Sequence, residues 1–311
     1  MMHLRTAGLL MLLAAGPALA QATTAAPAFA YGEKPKEDAK DTGWKVEAKA
    51  GLLWLAGNAD STSISAGLKV SRDAVWYRYS LTANYAYAQS RIYAVPAGLT
   101  TPVISLDQLD SVSSLTTRLW NVTPRFDQWL IHRDAPGDTS VYLLGNIASD
   151  FAAGKKLFGG GQLGVSTLIV KSGAHSVTGE LGYDFTYLEP YTGDGYSIHS
   201  LRVALGYAWE ISKTTKFTAG AEYLVNLNKE TGAPNADDPT GVPAFEDHRI
   251  NGVVSLTTQV YDRLSLNLTW TGRYDAKPQL AQLPAGVPAG STAFLRTFDS
   301  LTQVQFVYTF G

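Results

Sequence analysis

Few side chains in this sequence are of types that could take part in catalysis, and the histidines are the first candidates. His199 stands next to Ser200 and five residues after Asp194, which together supply a base, a nucleophile and an orienting carboxylate. Neighbouring residues of a strand point to opposite faces, so Ser200 is poorly placed to be activated by His199. A hydrolytic site at His199 therefore stays an alternative, and an exposed histidine is the simpler interpretation.

Metal and cofactor chemistry has less support. No pair of histidines or carboxylates shows the spacing of metal ligands on a shared face, and the sequence has no cysteine. The glycines Gly159 to Gly161 open a predicted strand, and no helix follows them as a phosphate-binding loop requires. They indicate a bend or close packing, and Pro124 indicates a bulge or an early end of its strand. We expect no catalytic residue, no metal and no cofactor.

Charged residues that alternate with apolar ones form the second candidate set. Arg202, for example, stands between Leu201 and Val203. A period of two is typical of a strand with one polar and one apolar face. The predicted inward-facing charges are Lys45, Glu47, Lys49, Lys69, Arg78, Glu180, Asp184, Arg202, Glu222 and Arg273.

The elements that would position these charges are strands. The period of two continues to the C-terminus, and connections such as Ser212–Thr214 and Tyr261–Arg263 are short, whereas Ile92–Asp110 and Lys229–His248 are long and polar. Short turns at one end and long loops at the other are typical of an outer-membrane barrel. We predict an all-β fold over residues 44–311, a transmembrane antiparallel up-and-down β-barrel of about 12 strands.

Composition agrees with this class. The 311 residues are 45% hydrophobic and 17% charged, against roughly 25% charged residues in an ordinary soluble domain. The formal net charge of −2 excludes a basic nucleic-acid-binding protein. Without cysteine there are no disulfides, thiolate metal ligands or cysteine nucleophiles.

The N-terminal residues predict export. Arg5 precedes the apolar run Leu9–Ala15, and Ala18-Leu19-Ala20 has the form of a cleavage site, so residues 1–20 are predicted to be a signal peptide. Residues 21–43 are rich first in Ala and Pro and then in charged residues, which predicts a flexible periplasmic linker. The expected location is the outer membrane of a Gram-negative bacterium.

Aromatic residues recur ten positions apart on the apolar face. Ten residues of a tilted strand rise roughly 25 Å, the height of the apolar band between two aromatic girdles. The predicted girdle residues are Trp44, Trp54, Tyr77, Tyr87, Phe298, Tyr308 and Phe310.

Several short motifs resemble a known family. They are Gly57-Asn58-Ala59-Asp60-Ser61, Arg125-Phe126-Asp127, Asp150, Gly159-Gly160-Gly161, Tyr274-Asp275-Ala276-Lys277-Pro278 and Asp299. Together they resemble the salt-induced outer membrane proteins, catalogued as domain of unknown function 481. The chain departs from the family pattern at Ala59, where Thr or Ser is usual, and at Gly311, which follows the terminal aromatic Phe310. The resemblance implies an outer-membrane barrel, and the family has no established activity.

The spacing of the inward charges suggests two walls of opposite sign. A turn near Ser212 places Arg202 opposite Glu222, with Glu180 and Asp184 diagonal to Arg202. This set on strands seven to nine is mainly acidic, and the inward charges of strands one to three are mainly basic. In a twelve-stranded barrel these walls face each other, as a constriction for polar solutes or as salt bridges that close the lumen.

The preferred function is therefore a narrow, low-selectivity channel or an envelope-stress barrel for small polar solutes. The first alternative is a structural or adhesive barrel that binds partners through segments 92–110, 229–248 and 275–297, and the second is a rim hydrolase that acts on lipids. Expected partners are outer-membrane lipid and lipopolysaccharide, and the barrel-assembly machinery during insertion. We expect a monomer that binds no nucleic acid.

Overall fold

The computed structural model describes residues 43–55, 61–94, 110–131, 135–151, 155–191, 194–231, 240–278 and 297–310. The predicted signal peptide lies outside the described residues. So do nearly all of the predicted linker and most of the three long connecting segments. Among the described residues, no helix is long and apolar enough to cross a membrane.

Twelve strands form one closed barrel, in which every strand pairs antiparallel with its neighbours and β1 closes against β12. The predicted fold class and strand number are confirmed. The strands are β1 (Lys45–Leu55), β2 (Ser61–Asp73), β3 (Tyr77–Ala94), β4 (Asp110–Ile131), β5 (Thr139–Asp150), β6 (Lys155–Ser172), β7 (His175–Pro190), β8 (Tyr196–Glu210), β9 (Thr215–Asn226), β10 (His248–Tyr261), β11 (Leu264–Asp275) and β12 (Phe298–Phe310).

The period of two sorts side chains between the two faces of the wall. In β8, Leu201, Val203 and Leu205 are exposed on the outside, whereas Arg202 and Ala204 are buried inside the barrel. The same outward apolar face continues around the barrel, with Leu143, Ile147, Leu163, Leu181, Leu256, Leu268, Val304 and Phe306 exposed. An outward apolar band around a polar interior is the pattern of a barrel that faces lipid.

Outward aromatic residues lie near both ends of the barrel. At the end with the short turns, Trp44 packs edge-on against Tyr79, and Tyr308 packs against Phe310. At the other end, Phe298 pairs with Tyr274 across β11 and β12. Of the remaining predicted girdle residues, Tyr77 begins β3 and Tyr87 lies near the middle of the same strand, which ends at Ala94. Trp54 belongs to β1, with a side chain outside the described part.

The three consecutive glycines do not open a strand, contrary to the sequence prediction. β6 begins at Lys155, because the residues before the glycines already pair with the end of β7. The glycines permit close packing instead, since a Cβ atom on Gly160 would overlap the carbonyl group of Phe185.

Pro124 neither ends β4 nor introduces a bulge there. It lies opposite Leu81, and the β3–β4 register is continuous on both sides of it. On the β5 side its ring faces Gly145, where a Cβ atom would lie 3.3 Å from Pro124 Cγ. β4 therefore continues to Ile131 because Gly145 leaves room for the proline ring.

Candidate functional site

The interior of the barrel holds a continuous series of charged and polar side chains, which we call the lumen ladder. Its members are Asp127 and Arg125 of β4, Glu180 of β7, Arg202 of β8, Glu222 of β9 and Asn251 of β10. All of them project inward, because they occupy the polar positions of strands whose other residues face outward.

Glu180 is the centre of the lumen ladder. Its Oε1 accepts a hydrogen bond from Arg125 Nη2 at 2.8 Å, and its Oε2 accepts one from Arg202 Nη1 at 2.7 Å. One carboxylate thus joins two guanidinium groups, which come from β4 and β8 on either side of β5, β6 and β7. Charge-assisted hydrogen bonds of this kind are the stronger ones in proteins.

Both ends of the lumen ladder are also paired. Asp127 accepts hydrogen bonds from Arg125 Nη2 at 2.7 Å and from Arg125 Nε at 2.9 Å. Glu222 accepts from Arg202 Nε and, at 2.9 Å, from Asn251 Nδ2. The charged members are almost fully buried, with 1% of the Arg202 side chain exposed. Burial of these ions is tolerable because each has a partner.

Tyr142 of β5 lies beneath the two arginines. The Arg125 guanidinium carbon is 4.3 Å from the centre of its ring, and its hydroxyl accepts a hydrogen bond from Arg202 Nη1 at 2.9 Å. The hydroxyl end of the ring lies against β6 and β7, where Gly164 and Gly182 face each other. A Cβ atom at Gly164 or Gly182 would lie 2.6 Å or 2.5 Å from the Tyr142 hydroxyl oxygen. These two glycines therefore create the space for the ring.

Substitution of Gly182 by alanine should destabilise the barrel. The new methyl group would also lie 2.9 Å from the Leu163 carbonyl oxygen, and overpacking of this kind costs about 1–3 kcal/mol. We expect that loss in the free energy of unfolding, measured by denaturant titration of the protein in lipid bilayers. Gly252→Ala is the matched control, because its methyl group would meet no atom closer than 3.8 Å.

The structure corrects the predicted register of β8 and β9. Arg202 lies opposite Leu224, and the residue opposite Glu222 is Ala204. The difference arises at the turn, which centres on Lys213 rather than Ser212, because Glu210 pairs with Lys216. Arg202 nevertheless reaches Glu222, since a long side chain spans the distance to a diagonal neighbour.

The other predicted residues of this wall have different partners. Asp184 lies diagonal to Arg202, like Glu180, because Arg202 is opposite Gly182. Asp184 accepts hydrogen bonds from Gln162 at 3.1 Å and from Thr186 at 3.0 Å rather than from the lumen ladder. Arg273 lies between Asn251 and Asp299 in the register of β10, β11 and β12.

The predicted basic residues lie together on β1 to β3, which we call the lysine wall. Lys49 and Lys69 face the lumen, and Lys45 lies 3.6 Å from Glu47 with 49% of its side chain exposed. Arg78 of β3 donates a hydrogen bond to Asp73. Within the described residues this wall has four inward basic groups, Lys45, Lys49, Lys69 and Arg78, and two acidic groups, Glu47 and Asp73.

Sequence reasoning missed Arg125, Asp127 and Arg249. As a result the hypothesis of an acidic wall needs correction, because Arg125 and Arg202 between them neutralise much of the charge of Glu180 and Glu222. The signal was available in the alternation of Arg125 and Asp127 around Phe126. The pairing itself joins strands that are three apart, which no local pattern indicates.

A cavity of about 170 Å³ lies between the lumen ladder and the long-loop end of the barrel. Arg202 and Glu222 line its base, and Arg249, Asp184 and Lys155 contribute further charge. Its volume corresponds to roughly six water molecules at the density of the liquid. The cavity can therefore hold water or a small polar solute.

The residues considered for hydrolysis lie on opposite faces of β8. His199 faces outward, where its ring packs against Phe185 and its Nδ1 is hydrogen-bonded to the hydroxyl of Tyr183. Ser200 is fully buried inside the barrel and accepts a hydrogen bond from Arg249 Nη2 at 2.6 Å. Within the described ranges, no three His, Asp or Glu side chains are grouped so that they could hold a metal ion.

Comparison with known proteins gives one family and a set of barrels. The family described as "Protein of unknown function, DUF481" matches residues 48–234. No curated protein matches the sequence.

The solved structures to which the chain is similar include the NanC porin, at 10% identity over 86% of this chain and 98% of that chain, with a TM-score of 0.41. The translocator domain of the autotransporter NalP from Neisseria meningitidis is 13% identical over 88% of this chain and 90% of that chain, with a TM-score of 0.40. OmpT, an outer membrane protein of Vibrio cholerae, is 6% identical over 86% and 97% of the two chains, with a TM-score of 0.34.

Proposed function

Because the chain belongs to the protein family of unknown function DUF481, its own lumen must supply the functional argument, and from it we propose a narrow outer-membrane channel that prefers small anions. The observation that carries this proposal is the uneven exposure of the inward charges. The lumen ladder is buried and paired, whereas the lysine wall opposite it is partly exposed.

The outer face of the barrel supports a position in a membrane. Leu181, Val203 and Leu205 are exposed near the middle of their strands, and such a surface in water would be an unusually large apolar patch. In a bilayer the same residues contact lipid, and the closed barrel leaves no unpaired strand edge. The outer membrane is the location that this arrangement favours.

The inner face supports a path for solutes along one side of the lumen. Arg202 is 1% exposed and belongs to a network in which each ion has a partner, so the lumen ladder acts as a fixed filling of one side of the lumen. On the other side, Lys45 is half exposed, and Lys49 and Lys69 are partly exposed. Water and small solutes would pass along this side, where the excess of positive charge attracts anions.

The direct test is the recording of single channels in planar bilayers. The purified protein is first shown to be folded by its heat-modifiable mobility in gels. We expect discrete current steps. In a gradient of potassium chloride, we expect a reversal potential closer to the equilibrium potential of chloride than to that of potassium. Folded protein that gives no current steps at any pH between about 5.5 and 8.5 would contradict the proposal.

Reversal of the lysine charges should change the ion preference. In Lys49→Glu/Lys69→Glu the lysine wall has two basic and four acidic inward groups among its described residues. We expect the reversal potential to change sign, because a ring or row of charge determines which counter-ion enters a pore. Lys213→Glu, in an exposed turn, is the control and should leave the sign unchanged. An unchanged preference in the double variant would mean that ions take another path.

A further inference from the structure

The segment between β9 and β10 enters the lumen at the long-loop end. We call its described residues, 227–231 and 240–247, the mouth segment. Glu230 and Val242 pair as a β-bridge, with Glu230 N donating to the Val242 carbonyl at 2.9 Å. Val242 is 1% exposed and packs with Leu188, Tyr196 and Ile198, which project inward from β7 and β8. An apolar side chain of the mouth segment thus fills part of the barrel opening.

Asn226 holds the mouth segment in this position. Its Oδ1 accepts a hydrogen bond from the backbone N–H of Asp247 at 3.0 Å, and its Nδ2 donates to the Pro243 carbonyl at 2.8 Å. Its carbonyl accepts from the N–H of Phe245 at 2.9 Å. Phe245 has a φ of 64° without being glycine, a strained conformation that persists only where surrounding contacts enforce it.

Two residues of the mouth segment, Glu230 and Asp247, form a buried carboxyl pair. They are 2% and 3% exposed, and their side chains are within hydrogen-bonding range of each other. Glu230 Oε1 and Asp247 Oδ1 have no hydrogen-bond partner among the described residues. Asp247 Oδ2 lies 3.1 Å from Arg249 Nε, which gives the pair one close cation.

The surroundings of the pair favour one shared proton. The charged and titratable groups that face it are Lys155 of β6, Tyr196 of β8, Arg249 of β10 and Asp275 of β11. Burial, together with the adjacent Asp247, raises the pKa of Glu230 to about 8, although Arg249 opposes the rise. Burial also raises the pKa of Asp247. Two carboxylates in contact cannot both ionise without strong repulsion.

We propose that the mouth segment is a proton-operated latch, which covers the lumen while Glu230 and Asp247 share a proton and withdraws when both carboxyl groups ionise. Its role as a gate rests on the proposed channel function. The latch itself is a property of the fold and can be tested without any current.

The direction of the pH effect follows from the raised pKa of Glu230. The closed form binds more protons than the withdrawn form, in which Glu230 contacts water and titrates near its ordinary value of about 4.3. Closure is therefore most stable below that value and is lost as the pH rises towards about 8. Withdrawal should thus increase from pH 5.5 to pH 8.5.

The test uses single cysteines, which is possible because the chain has none of its own. Val242→Cys places a thiol in the buried position, and Lys213→Cys places one in an exposed turn. The two refolded variants are labelled with a water-soluble methanethiosulfonate. The ratio of the two labelling rates removes the intrinsic effect of pH on thiols. We expect this ratio to rise at least tenfold between pH 5.5 and pH 8.5.

The matched variant is Val242→Cys/Glu230→Gln, in which the amide can still donate a hydrogen bond to Asp247. We expect slow labelling at both pH values, because the pair then keeps its hydrogen bond without a titrating proton. A ratio that does not change with pH in Val242→Cys, or a change that persists with Glu230→Gln, would overturn the latch. A pH-dependent ratio without any bilayer current would support the latch and contradict the channel.

Discussion

Replacement of Arg202 by methionine should lower the free energy of unfolding by about 3–5 kcal/mol, because removal of one partner leaves buried charges uncompensated. Arg202 is the only bridge in the described structure between Glu180 and Glu222, and it also contacts the Tyr142 hydroxyl. Without it, Glu222 keeps the Asn251 amide as a partner, and Glu180 keeps Arg125. The free energy of unfolding is measured by denaturant titration in lipid bilayers, with gel mobility as the signal that distinguishes folded from unfolded protein.

Two variants show whether this loss comes from charge. Arg202→Met/Glu222→Gln should be more stable than Arg202→Met, because the second substitution removes the buried carboxylate charge that the first leaves without a neighbouring cation. Lys156→Met breaks an exposed ion pair with Glu189 and should leave the free energy of unfolding nearly unchanged, because water and salt screen an exposed pair. Equal losses in Arg202→Met and Lys156→Met would show that the lumen ladder is not the buried network described.

A charge on the outer face should destabilise the barrel according to its depth. Leu181 is exposed on the outside near the middle of β7. Leu181→Arg should therefore cost about 2–4 kcal/mol in a bilayer, the range for arginine at the midplane. Tyr261 is 77% exposed at the short-turn end, and Tyr261→Arg should cost about 0–1 kcal/mol, as near an interface.

The two outer-face variants are compared in the same bilayers and with the same unfolding assay. Equal stabilities for Leu181→Arg and Tyr261→Arg would contradict a barrel whose apolar band contacts lipid. The comparison is independent of the lumen, because both side chains point away from it.

The fold could be predicted because each strand carries its own signal. In β8 the alternation of Leu201, Arg202 and Val203 assigns one residue in two to the inside, and the turn residues separate β8 from β9. The register of β8 against β9 is harder to predict, because moving the centre of their turn by one residue shifts every cross-strand pair by two residues. That shift keeps the same face inward, so Arg202 and Glu222 were still placed on one side of the wall.

The contacts of the lumen ladder could not be predicted from such patterns. Arg125 meets Glu180 across β5 and β6, where Gly164 leaves room for the Tyr142 ring that lies against the Arg125 guanidinium group. The mouth segment was likewise predicted as part of a polar loop. The burial of Glu230 and Val242 depends on the shape of the barrel opening, which no stretch of sequence encodes alone.

The central claim is that solutes pass along the lysine wall and not through the lumen ladder. Single-channel current is the most direct measurement of it, recorded while a charged methanethiosulfonate reacts with one introduced cysteine. Lys49→Cys faces the proposed path, and Ser166→Cys faces the lumen opposite Glu180, where the wall is buried. We predict that the reagent changes the current by at least about half with Lys49→Cys and leaves it unchanged with Ser166→Cys, since a charge added at the constriction alters ion passage. Modification of the current at Ser166→Cys but not at Lys49→Cys would contradict the claim.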